Sequence, residues 1–171
     1  MHYRDLLAVD SQSTLNFFHA NLQDVSADSR VSATETIYVA SILASYAQTS
    51  RADTTSLPPF ASLSDVFDMF VMQRETITDP ELLEIAGAQS LLLAGFFRDQ
   101  MQRRHNVEWY DQLGTMFYER ATQHSTQTPN RRALFARLSI TFPEWTAICQ
   151  RLSRALGERR FLLRLDGPKP M

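Results

Sequence analysis

The sequence predicts an all-α protein. Three observations carry this. Apolar residues recur at three- and four-residue spacing in most segments, helix-start signals precede several of those segments, and long strand-like alternation is missing while glycine occurs only five times in 171 residues. The expected architecture is a single compact bundle of six to seven helices around a buried central apolar helix, spanning residues 1–171, with those after about 165 forming a tail.

Asp10 or Ser11 caps a first helix whose apolar side is Leu15, Phe17, Phe18 and Leu22. "VSADSR" interrupts it. A second helix runs from about Ala33 to Gln48. Its stripe is Ile37, Val39, Ala40, Leu43, Ala44 and Ala47, and Ser32 with Glu35 reads as a capping box. "TSRADTTSLPPF" is a loop, since Pro58-Pro59 cannot sit inside a helix. A third helix is expected over about Leu63 to Arg74, on Val66, Phe67, Phe70 and Val71. "TDPELLE" opens a fourth, with Asp79 as N-cap and Pro80 at the first position, continuing to about Arg103. A fifth covers about Glu108 to His124, offering Trp109, Leu113, Met116, Phe117 and Ala121 to the core. A sixth follows from Arg131 to about Ser139. Pro143 then opens a seventh, which Gly157 stops. "RRFLLRLDGPKPM" reads as a short strand or helix and then the tail.

Length and composition suit one globular domain; a domain of roughly 150 residues buries about 68–70% of its unfolded surface. The longest unbroken apolar run, Leu91 to Phe97, has seven residues, and a membrane-spanning helix needs about 20. No secretory signal is visible at the N-terminus. With Cys149 as the one cysteine no intrachain disulfide can form, which fits a cytoplasmic location. Cys149 falls on an apolar helical face and is expected to be a small buried hydrophobe.

The fourth helix carries a small-residue face. Ala86, Ser90 and Ala94 repeat every four residues, with Gly87 and Gly95 beside them, while Leu91, Leu92, Leu93, Phe96 and Phe97 cover the rest. Gly114 sits between Tyr110 and Tyr118 in the fifth helix. Each helix-interior glycine costs roughly 0.5–1 kcal/mol against alanine, so these sites need a reason. Close crossing of the fourth and fifth helices is the leading one. The alternative is a small-molecule pocket near Gly95 and Gly114, walled by Phe96, Phe97, Tyr110 and Tyr118.

"GAQSLLLAGFFRDQMQRRHNVEWYDQLGTMFYERA" resembles a pattern of small uncharacterised bacterial proteins, in which a Gly-Asp pair precedes an apolar run and "GFF", followed by "YY", a glycine and a second tyrosine. The matching positions are Gly87, Gly95-Phe96-Phe97, Trp109-Tyr110, Gly114 and Tyr118. Ala88 departs from the pattern's acid and Trp109 from its tyrosine. The resemblance implies a bacterial origin and no known activity.

No Walker-type loop, dinucleotide fingerprint or paired-cysteine zinc pattern is present. His105 and Glu108 at i, i+3 form one half of a di-metal motif whose second half is missing, so no metal or cofactor is expected. Asp65 and Asp68 read as a solvated face, and no catalytic set is evident.

Charge is unevenly spread. Residues 1–130 hold sixteen acidic and eight basic side chains; residues 131–171 hold three acidic and nine basic. Arg131, Arg132, Arg151, Arg154, Arg159 and Arg160 are the candidate contacts for an anion or a partner. Three readings compete: a solvated face with cations favoured at a helix C-terminus, docking on acidic groups of this chain or of a partner, and phosphate contact. The acidic overall balance and the lack of a recognition motif weigh against nucleic acid. The leading functional expectation is a non-catalytic protein that works by protein–protein contact, self-association included. Small-molecule binding is the first alternative and nucleic-acid binding through the C-terminal arginines the second.

Overall fold

The computed structural model describes residues 11–52, 80–103, 106–123 and 128–157. Among these the protein is all-α, with helices α1 (Ser11–Val25), α2 (Ala33–Ala52), α3 (Pro80–Leu91), α4 (Arg98–Met101), α5 (Val107–Thr122) and α6 (Pro129–Leu156). No described helix is long and apolar enough to cross a membrane. Packing divides the chain into two compact units, Met1–Leu57 with Arg151–Met171, and Pro58–Gln150. The expected Leu63–Arg74 helix, the Asp10 and Asp79 caps and the C-terminal segment lie outside the described residues.

In the first unit α1 packs on α2. Phe18 and Leu22 meet the buried stripe Val39, Ala40, Leu43, Ala44 and Ala47 in the core, while Ile37, expected in that stripe, is exposed. The start of α2 is the predicted capping box. The Ser32 N–H donates to Glu35 Oε2 at 2.7 Å, and the Glu35 N–H donates to Ser32 Oγ at 3.1 Å. Two helix-end donors are thereby satisfied, and removing such a cap costs about 0.5–2 kcal/mol. At the other end of the unit's chain, Arg151 Nη2 donates to the Val25 carbonyl at 3.1 Å, answering an acceptor at the end of α1. Gly157 has φ +78° just past α6, the left-handed position that stops a helix.

In the second unit α3 packs on α5. Pro80 opens α3 as predicted, but the helix does not run evenly to Arg103. Leu92–Phe96 is a π-helical turn, and the Phe97 N–H reaches back five residues to the Leu92 carbonyl at 2.8 Å. All five residues of this turn are buried. The apolar stretch is thus the buried helix the sequence predicts, with one residue inserted into its winding.

The sixth and seventh predicted helices are one. α6 runs unbroken from Pro129 to Leu156 with Pro143 inside it. Proline within a helix costs about 3 kcal/mol. Here the opposite face buries Phe135, Leu138, Phe142, Trp145, Ile148 and Cys149, each contributing roughly 1.5–3 kcal/mol for the large apolar ones. Pro143 is exposed, so the missing hydrogen bond falls on the solvent side. The true start of α6 is marked by Thr128, whose Oγ1 accepts from the Arg131 N–H at 3.3 Å, followed by Pro129 at the first position.

Candidate functional site

The glycines define the centre of the second unit. A Cβ placed on Gly87 lies 2.9 Å from the ring of Tyr118. One placed on Gly114 lies 2.0 Å from Phe142 Cζ, and one on Gly95 lies 2.9 Å from Cys149 Cβ and 3.2 Å from Thr146 Cα. Each glycine is therefore a seat on which another part of the chain rests. Gly87 serves the expected close approach of α3 and α5. Gly95 and Gly114 do not face each other: both are covered by α6, one by its backbone and one by a ring.

The four candidate pocket residues separate accordingly. Phe96, Phe97 and Tyr118 are fully buried. The Phe96 and Phe97 rings meet edge to face at 5.0 Å. Tyr118 stacks on Phe135 with centroids 5.9 Å apart and lies 6.3 Å from Phe142. Such contacts favour the packed state by about 0.5–1.5 kcal/mol beyond burial. Tyr110 is half-buried at the edge, beside Trp109, and burial raises its pKa above the usual value. The room that the sequence offered at Gly95 and Gly114 is taken up by Phe142, Cys149 and Thr146. Ser90, the polar member of the small-residue face, is satisfied inside α3 by donating to the Ala86 carbonyl at 2.8 Å.

Cys149 is fully buried, and that burial pushes its thiol from the ordinary 9.0 up to about 12. The folded state then keeps its proton between pH 9 and 12 while the unfolded state loses it, so stability falls as pH rises through that window. Denaturant titrations at pH 8 and pH 10 are expected to show a larger loss for the native chain than for Cys149→Ala. Equal losses would remove the effect.

The described candidate arginines have different surroundings. Arg131 pairs with Glu84 of α3, and its guanidinium lies 5.3 Å over the Phe135 ring. This is docking within the chain, between the basic and the acidic portion. Arg132, Arg151 and Arg154 are exposed. Arg131 and Arg132 belong to one compact unit, Arg151 and Arg154 to the other. Arg159 and Arg160 lie outside the described residues, as does His105. Among the described residues, no group of three His, Cys, Asp or Glu side chains is placed to hold a metal.

What sequence reasoning missed is the set of large apolar side chains that stay outside. Leu82 and Ile85 sit one turn apart on α3; Trp109 and Met116 sit two turns apart on α5; Ile140 on α6 is 73% exposed. Trp109 and Met116 were expected in the core. Buried Val107, Leu113, Gly114, Phe117, Tyr118 and Ala121 set the inner face of α5, and Trp109 and Met116 fall at its edge, each 38% exposed.

Comparison with known protein families, with curated proteins and with solved structures found no match. The likeness to the bacterial "GFF" pattern stands on the quoted residues alone.

Proposed function

We propose that this chain is a non-catalytic cytoplasmic protein that works by protein–protein contact, with a second copy of itself as the partner. One observation carries the reading: large apolar side chains are spent on outward helix faces while the interior is filled. Leu82 with Ile85, and Trp109 with Met116, form strips at helical spacing. Aromatic residues and Met are enriched where proteins meet. The charge division supports a second copy, because the acidic residues before 131 and the basic ones after it are complementary between identical chains. The Arg131–Glu84 pair is the same chemistry within one chain.

Light scattering at low and high ionic strength tests this. The expected result is a mass above that of the monomer that falls as salt rises, and a shift to monomer in Ile85→Asp and Trp109→Ser. A monomer mass at every concentration and salt level contradicts the reading.

A further inference from the structure

The short helix α4 is held by two consecutive side chains to two different helices. Arg98 Nη1 donates to Asp111 of α5, 3.1 Å from Oδ1 and 3.2 Å from Oδ2. Next to it, Asp99 Oδ1 accepts from Gln150 Nε2 of α6 at 2.7 Å. Successive helical positions are turned by about 100°, so the phase of α4 decides whether both contacts can be made at once.

That phase is set by the π turn. In an α register the Phe97 N–H would donate to the Leu93 carbonyl and the Arg98 N–H to that of Ala94. Instead the N–H groups at the end of the turn go to the carbonyls of Leu92 and Gly95. The Ala94 carbonyl, which those bonds pass over, accepts from Arg98 Nη1 at 2.9 Å. The guanidinium thus does two jobs: it satisfies an acceptor that the inserted residue sets aside, and it ties the result to Asp111. Both partners are largely shielded, with side-chain exposures of 19% and 25%. A charge-assisted bond in such a place is roughly twice as strong as a neutral one.

We infer that the Arg98–Asp111 clasp is the latch of a register switch. With the clasp closed, Leu92–Phe96 winds as a π turn. With it open, the Ala94 carbonyl regains the Arg98 N–H, the segment returns to α, and α4 turns by about 100°, withdrawing Asp99 from Gln150. Gly95 lies inside the turn, its missing side chain letting the rewinding segment slide past Cys149 and Thr146.

The test is made on the isotope-labelled full chain by NMR. In the native protein a through-hydrogen-bond coupling is expected from the Phe97 nitrogen to the Leu92 carbonyl carbon. In Arg98→Met and in Asp111→Asn that coupling is expected to vanish, and one to the Leu93 carbonyl carbon to replace it. The Phe97 amide should exchange at least about tenfold faster than in the native protein while the Leu138 amide is unchanged, a local opening rather than a global one. Asp111→Asn keeps the shape of the clasp, so it reads the latch even if Arg98→Met unfolds. Persistence of the Leu92 coupling with unchanged exchange in Asp111→Asn, or its absence from the native protein, would overturn the inference.

Discussion

Gly114→Ala is expected to destabilise the protein by about 2–3 kcal/mol, against the usual sense of a glycine-to-alanine change in a helix. Propensity alone would stabilise by up to about 1 kcal/mol. The new Cβ, however, falls 2.0 Å from Phe142 Cζ and 2.4 Å from Cε2, closer than any carbon contact allows. Phe142 is fully buried and lies within aromatic distance of Tyr118, so the ring cannot swing out without opening a void. Urea denaturation of the single variant and of Gly114→Ala/Phe142→Leu separates clash from propensity. Phe142→Leu alone costs on the order of 1 kcal/mol by lost volume. The double variant is expected to cost less than the sum, with a coupling of about 0.5–3 kcal/mol. Strict additivity would mean that the ring does not rest on Gly114.

Gly95→Ala is the second large effect, about 1–3 kcal/mol, and its signature differs. Its Cβ meets Cys149 Cβ at 2.9 Å and Thr146 Cα at 3.2 Å. Neither atom belongs to the end of a flexible side chain, so α6 itself must retreat. Trimming Cys149 to alanine leaves its Cβ in place and is expected to give no rescue. Calorimetry of Gly95→Ala and Gly95→Ala/Cys149→Ala checks this. Recovery in the double variant would show that the thiol, not the backbone, is the obstacle.

These two positions mark how far the sequence could be read. Local signals placed the ends of helices well: Ser32 with Glu35, Pro80 at the start of α3 and Gly157 after α6 each satisfy or terminate a helix by chemistry within a few residues. The small-residue face of α3 was legible for the same reason. Which group fills each gap was not, because Gly114 meets Phe142 and Gly95 meets Cys149 far along the chain. Pro143 failed as a helix start because burial along the far side of α6 outweighs its local cost. The π turn was not read from the sequence, and the groups that hold the helix after it, Asp111 and Gln150, lie 13 and 51 residues beyond Arg98 and Asp99. Of the candidate site residues, Phe96, Phe97 and Tyr118 are buried, and Tyr118 lies against Gly87 and Phe135.

The central claim is that Gly87, Gly95 and Gly114 are seats for packed groups rather than vacancies. The most direct measurement is the nuclear Overhauser contact between the Gly114 Hα protons and the Phe142 ring. The expected result is a strong contact with the Gly114 Hα signals displaced by the ring current, unchanged when a small aromatic such as indole is added. A missing contact, or Gly114 signals that shift on adding indole, would contradict it.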